Sequence, residues 1–241
     1  MKVVTPGQMN SIDKRAIEKF GIPGIILMEH AASKLLDKLK SKWPDLEGKT
    51  VAIVAGRGNN GGDGLALARL LLPYKARVLV HLLAKVEDLK GDAAINGRIL
   101  VNLGIPINTV LDEDDVGALE EDIEKADIVV DAILGTGIRG MVTGLTQRVI
   151  KVINQKAGYV LSVDIPSGIN GATGEVMNVC VKAHDTVTFQ LPKVGQLIHP
   201  GKEYTGHLDI VDIGIPRAAW EEENINIQYV TACQADRKSV V

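Results

Sequence analysis

The run Gly56-Arg57-Gly58-Asn59-Asn60-Gly61-Gly62-Asp63-Gly64 sets two side-chain amides and a carboxylate among bare glycine backbone. Such a segment concentrates donors and acceptors in a small volume and suits a polar ligand. Residues 56–61 also satisfy G-x-G-x-x-G, which a tight strand-to-helix turn explains as well as a dinucleotide loop does. A second glycine-rich run, Gly135-Thr136-Gly137-Ile138-Arg139-Gly140, and a third, Asp164-Ile165-Pro166-Ser167-Gly168, add an arginine, hydroxyls and a carboxylate. Asp131 lies just before the second run. A carboxylate at a strand end can serve as acid, base or cation ligand. Taken singly, Asp164 reads better as an Asx turn opening the Ile165-Pro166 bend, and Asp131 better as a loop cap. Together with Ser167 and Asn60 around one crevice they favour a site, because concentrated negative charge in a dry place needs a partner. Oxygen ligands suit a hard cation. Zinc or copper is disfavoured: His30, His81, His184, His199 and His207 show no ligand spacing, and Cys180 and Cys233 are isolated.

These residues must be positioned by something, and the pattern around them alternates short β-branched runs with longer amphipathic ones. Strands are expected at Thr50–Ala55, Arg77–Leu83, Ile107–Leu111, Asp127–Ala132 and Tyr159–Asp164. Helices are expected at Asp63–Leu72, Asp92–Asn102, Asp115–Lys125 and Leu145–Lys156. His184–Gln190 and His207–Ile213 read as further strands of the same sheet. The alternation is that of βαβ units and predicts a three-layer, Rossmann-like α/β sandwich with a mainly parallel central sheet. If the strand order is 3-2-1-4-5, the first and fourth strands flank the point where the order reverses, and both are followed by glycine-rich loops. Ligand is expected there. An N-terminal helical arm (residues 1–45) precedes the sheet. Thr5-Pro6-Gly7-Gln8 reads as a capping box with proline at the first helical position, and Leu27, Met28, Ala31, Leu35 and Leu39 recur at helical spacing. The arm's apolar stripes, Met9, Ile12 and Ile17 with Leu27, Met28 and Leu35, exceed what docking one helix requires. A homodimer that buries part of them is expected.

Composition narrows the function. The chain has 241 residues, 46% of them hydrophobic and 24% charged, which is ordinary for one soluble domain. A formal charge of -3 and 3% aromatic residues argue against nucleic acid as a partner. No apolar run approaches the ~20 residues needed to cross a bilayer. Two cysteines and the start Met-Lys-Val-Val-Thr-Pro point to a reducing, cytoplasmic setting. A dehydrogenase would want an acidic residue at the end of the second strand to hold a ribose, where Leu83-Ala84-Lys85 stands. Hydride transfer is therefore disfavoured.

The segments Gly58–Gly64, Val130–Gly137 with Arg139-Gly140, and Ser162–Gly168 resemble the NAD(P)H-hydrate epimerase family, the YjeF N-terminal domain. Ala183–Phe189, Pro192-Lys193 and Val211–Pro216 extend the likeness from about Met9 to Pro216. The resemblance implies an isomerase of nicotinamide nucleotide repair, one that interconverts the R and S epimers of hydrated NADH and NADPH (NADHX and NADPHX) at C6 of the nicotinamide ring. It implies substrate contacts from Asn59, Asn60, Gly61, Gly62 and Asp63, from Gly135, Thr136, Gly137, Ile138, Arg139, Gly140 and Met141, and from Asp164. It also implies potassium held by Asn60, Asp131 and Ser167. Asp164 is the expected general acid/base, whereas Lys193 reads as a solvated surface lysine. Leu27-Met28-Glu29-His30-Ala31-Ala32 departs from the family's Leu-Met-Glu-Asn-Ala-Gly at positions 30 and 32. Many relatives carry a dehydratase domain after this one. It is expected to be absent here, with residues 1–241 forming one domain and 225–241 a tail or truncated linker. The alternatives are a non-catalytic, dimerising scaffold on the same fold and an NAD-dependent dehydrogenase.

Overall fold

The computed structural model describes residues 1–230; Cys233 and the tail from residue 231 onward lie outside the described residues. Its strands and helices, in chain order, are β1 (Lys2–Val3), α1 (Pro6–Glu18), α2 (Gly24–Lys42), β2 (Thr50–Ala55), α3 (Asn59–Leu71), β3 (Arg77–Leu82), α4 (Gly91–Asn102), β4 (Ile107–Thr109), α5 (Val116–Lys125), β5 (Ile128–Ala132), α6 (Gly144–Lys156), β6 (Val160–Val163), β7 (Asp185–Phe189), α7 (Val194–Leu197), α8 (Gly201–Thr205), β8 (His207–Val211), α9 (Arg217–Glu221) and β9 (Ile227–Gln228).

Seven of the strands form one sheet in the order β4-β3-β2-β5-β6-β7-β8, and every pairing in it is parallel. The order reverses between β2 and β5, as the 3-2-1-4-5 expectation required, and the two late strands extend the same sheet. Alternation along β2 explains the layers. Val51, Ile53 and Ala55 face a core shared with α1 to α4, while Ala52 and Val54 face one shared with α5 and α6. A strand buried on both faces has no polar side to show, hence its continuous apolar run.

The arm behaves partly as its sequence suggests. Gln8 N–H donates to Thr5 Oγ1 at 3.3 Å, and Thr5 N–H donates to Gln8 Oε1 at 2.9 Å, closing the capping box. Its apolar stripes, however, are covered by the chain itself. Met9, Ile12, Leu27, Met28 and Leu35 are buried, and of the stripe residues only Ile17 is exposed. The surplus that suggested a second copy is therefore not surplus. Nor is the region from 225 a loose tail at its start: β9 pairs antiparallel with β1, and Ile225 is buried.

One helix boundary differs in a way that matters. α3 begins at Asn59, not Asp63, so that the asparagines and glycines expected as loop form its first turns. Glycine is a poor helix former, but packing overrides propensity here. A Cβ on Gly61 would lie 1.8 Å from the Gly56 carbonyl oxygen, and one on Gly62 would lie 2.7 Å from Met28 Cε and 3.0 Å from Ala93 Cα. Bare backbone lets α3 sit against β2 and its neighbours.

Candidate active site

A cleft of about 970 Å³ opens at the carboxyl edge of the sheet, over the ends of β2 and β5. This is the reversal point, where strand ends part and leave room between their loops. The cleft is at the upper end of the roughly 300–1,000 Å³ usual for ligand pockets. Asn59, Asn60 and Asp63, the whole segment Gly135–Met141, and Asp164 line it, so the structure brings these expected contacts together. Gly61 and Gly62 are not among the lining residues. Their role is the close packing described above. The first amides of α3, at Asn59, Asn60 and Gly61, have no hydrogen-bond partner in the described protein, and no side chain caps the helix. Such open N–H groups at a helix start favour an anion.

Asp131 lies beneath the cleft, at the end of β5, and is fully buried. Its Oδ2 accepts from Ser162 Oγ at 2.8 Å and from Ser167 N–H at 2.9 Å, and its Oδ1 accepts from Ser167 Oγ at 2.5 Å. Among the described residues no cationic side chain bonds it. Burial pushes its carboxyl above the usual range, against the lowering effect of the serine and backbone donors. Asn60 Nδ2 donates to Leu134 O at 3.2 Å, and Leu134 N–H donates to Ser167 Oγ at 2.8 Å. Asp131, Ser167, Asn60 and the Leu134 carbonyl thus form one cluster of oxygen atoms around a buried carboxylate without a countercharge. Those donors fit a hard cation and offer nothing to a soft one.

Asp164 follows β6 with φ 61°, in the left-handed region that a non-glycine residue occupies at a cost. Its Oδ1 accepts from Lys193 Nζ at 2.5 Å, Thr188 Oγ1 at 3.0 Å and Phe189 N–H at 3.1 Å. Gln196 Nε2 donates to its backbone carbonyl at 2.7 Å. Its other carboxylate oxygen has no partner among the described residues. One oxygen is anchored and the other is free for the cleft.

Lys193 corrects the sequence reading. It is 1% exposed, not solvated, and besides Asp164 it donates to Thr188 Oγ1 at 3.0 Å and Phe189 O at 3.2 Å. Its ion-pair partner Asp164 lies far off in sequence, and only the family likeness at Pro192-Lys193 marked the position. Asp13 was also missed. It sits on α1 between Met9 and Ile17, one turn from each, and all three line the cleft. A carboxylate at helical spacing within an apolar stripe is a signal that was there to be found. Burial raises Asp13 to about 6, Lys193 opposing and Asp164 adding to the shift. Asp63, also buried, is held well above the usual carboxylate range by desolvation first and then by Asp164 and Asp13.

Three further details bear on the sequence expectations. Asp88 lines the cleft after β3, so that an acidic group is present there after all, a few residues beyond Lys85. It is exposed and lies beyond the strand end, where Leu83-Ala84-Lys85 still stands, so a dehydrogenase remains disfavoured. His207 approaches Asp185 and Asp209, but Lys38 already bridges those carboxylates at 2.5 and 2.7 Å. Cys180 is buried and, among the described residues, unpaired, and desolvation, with Asp131 adding, pushes its thiol up to about 12, away from the reactive thiolate.

The chain is similar to known proteins. The bifunctional NAD(P)H-hydrate repair enzyme of Moorella thermoacetica is 39% identical over 96% of this chain and 44% of its own length. The chain thus spans less than half of that relative, as it does of a similar enzyme from Thermofilum pendens, 40% identical over 43% of that protein. An NAD(P)H-hydrate epimerase of Rhodopirellula baltica is 37% identical over 88% of this chain and 84% of its own. In fold, the yeast protein ynu0 superposes with a TM-score of 0.79 at 24% identity, covering 97% of this chain and 98% of the yeast one. A family model described as the YjeF-related protein N-terminus matches residues 24–195, and the chain belongs to that family.

Proposed function

We propose that the chain is an NAD(P)H-hydrate epimerase, acting on NADHX or NADPHX in nicotinamide nucleotide repair. The observation that carries the reading is Asp164: a carboxylate on strained backbone, one oxygen fixed by Lys193, Thr188 and the Phe189 amide, the other free in a cleft of dinucleotide size. C6 of the hydrated ring bears both a hydroxyl and the ring nitrogen. Inverting it requires a bond at C6 to break and re-form, with a proton moved to and from oxygen. Asp164 performs that transfer. The open amides at the start of α3, the Gly135–Gly140 backbone and Arg139 bind the phosphates. The intact carboxylate cluster weighs against the scaffold alternative.

Potassium belongs to the same proposal. Asn60, Asp131, Ser167 and the Leu134 carbonyl would hold it, and it would neutralise the buried carboxylate and brace the loops it joins. A monovalent cation is a weak Lewis acid, so proton transfer stays with the side chains. Among the described residues no helix is long and apolar enough to cross a membrane, and a cytoplasmic setting is part of the reading. So is a homodimer, though not through the arm's stripes. Light scattering at micromolar concentration tests it: a mass near the 25.8 kDa of one chain removes the dimer. The function itself is tested by mixing the protein with a single epimer of hydrated NADH and following the other by chromatography; a reaction no faster than spontaneous interconversion removes the reading.

A further inference from the structure

Epimerisation sets a geometric demand that Asp164 alone meets poorly. The hydroxyl leaves one face of C6 and returns to the other. A group placed to give a proton to the departing oxygen is badly placed to take one from water adding to the opposite face. Two acid–base groups on different walls of the site solve this, provided that they hold one proton between them.

The cleft contains such a second group. Asp13 reaches it from the helical arm, whereas Asp164 reaches it from the sheet edge. The two differ in their bonding. Asp164 has one oxygen taken by an ammonium, a hydroxyl and an amide, and Asp13 has no hydrogen-bond or ion-pair partner among the described residues. An unpartnered carboxyl in a partly dry wall is the more ready proton carrier. The groups facing Asp13 are Lys193 and Asp164, with Asp63 on α3 close enough to feel its charge.

We propose that Asp13 is a second acid–base residue of the reaction, sharing one proton with Asp164 across C6; this rests on the epimerase reading. In one direction the Asp13 carboxylic acid gives its proton to the C6 hydroxyl as the C–O bond breaks. The bonding pair leaves with oxygen, which departs as water, and the ring-nitrogen lone pair forms the C6=N1 iminium. Water then adds to the other face of C6, the C=N pair returns to nitrogen, and the released proton goes to the Asp164 carboxylate. The proton has crossed from Asp13 to Asp164; the reverse reaction carries it back, and between forward turnovers exchange with solvent through the open cleft restores it to Asp13. No oxidant, reductant or other co-reactant is consumed. Burial holds the Asp13 carboxyl above the usual carboxylate range, up to about 6, and the anionic phosphates of a bound substrate raise it further, so that both of its protonation states are accessible.

The test uses the whole chain, a single epimer of hydrated NADH, and pH 5 to 9. Wild-type kcat/KM should fall above a pH near 6 or somewhat higher, as the shared proton is lost. Asp13→Asn should lower kcat by roughly 100-fold or more with KM within about threefold, and its residual activity should lack that alkaline limb. Asp13→Ser, smaller and differently bonded, should lose the same limb, which separates proton transfer from packing. Unchanged circular dichroism and a cooperative melt no lower than that of the wild type confirm that each variant folds. A wild type without activity overturns the epimerase reading and this role with it. An active wild type alongside an Asp13→Asn variant within about threefold of it overturns only the role of Asp13. An impaired Asp13→Asn variant that keeps the wild-type limb does the same, because the group titrating there is then another one.

Discussion

Asp164 and Lys193 are the pair on which the site turns. Asp164→Asn keeps the shape of the side chain but cannot exchange a proton near neutral pH, so epimerisation should fall by roughly 100-fold or more while the fold persists. Single-turnover rates with one epimer check this. Lys193→Met removes the ammonium from beside a carboxylate that is largely buried, and should cost about 3 kcal/mol or more in urea unfolding. Adding Asp164→Asn to that variant should cost less than the two single changes together, because the second removes the charge that the first left unpaired. Asp13 carries the opposite expectation. Its folded value, about 6, exceeds the ordinary 3.8, so the folded state holds its proton more tightly than the unfolded chain. The stability that this supplies is complete below pH ~4 and is lost as pH rises to ~6. Asp13→Asn should therefore stabilise the protein at pH 7, on the order of 2 kcal/mol once solvent screening is allowed for, and give no gain at pH 4. Urea titrations at the two pH values decide it. A residue that lowers stability where it sits is what a working acid–base group would be expected to show.

Among the elements, the start of α3 is set by backbone contact and not by local preference. Gly61→Ala places a Cβ 1.8 Å from the Gly56 carbonyl oxygen, backbone against backbone, with no flexible group to give way. A loss of about 3 kcal/mol or more, or failure to fold, is expected. Gly58→Ala is the control in the same loop: a Cβ there meets nothing within 4 Å, φ is -92°, and the loss should stay within about 1 kcal/mol. Thermal melts of the two proteins side by side test the contrast. Equal losses would mean that glycine's conformational freedom, and not the close approach, is what the loop requires.

For the whole molecule, the oxygen cluster joins the loop after β5, the turn after β6 and the first turn of α3, so a cation bound there would link three separate segments. A ligand that binds only the folded state raises its stability according to concentration over affinity. The melting temperature should therefore rise when potassium chloride replaces choline chloride at constant ionic strength, by several degrees if potassium is well above its dissociation constant. Asn60→Ala, which removes one ligand oxygen and the Leu134 contact, should shrink that rise. Identical melting in the two salts for the wild type would remove potassium from the proposal.

The periodicities of the chain determined the layers, because a strand buried on both faces and a helix buried on one must write those faces into their residues. Glycine clusters at Gly56–Gly64 and Gly135–Gly140 marked the edge where the cleft opens for the same local reason: close approach and open backbone require a missing side chain. Asp131, Ser167 and Asn60 were legible through motifs, and the structure does bring them together. What no local pattern carried was which distant groups would meet. Lys193 looked like a surface lysine because its ion-pair partner, Asp164, reaches it only once β6 and β7 pair. The arm's stripes looked unmatched because their cover is the chain's own core. Asp13 became part of the cleft only when α1 folded over the sheet edge. Burial and electrostatic neighbourhood are properties of three-dimensional proximity, and the tertiary structure alone decides them.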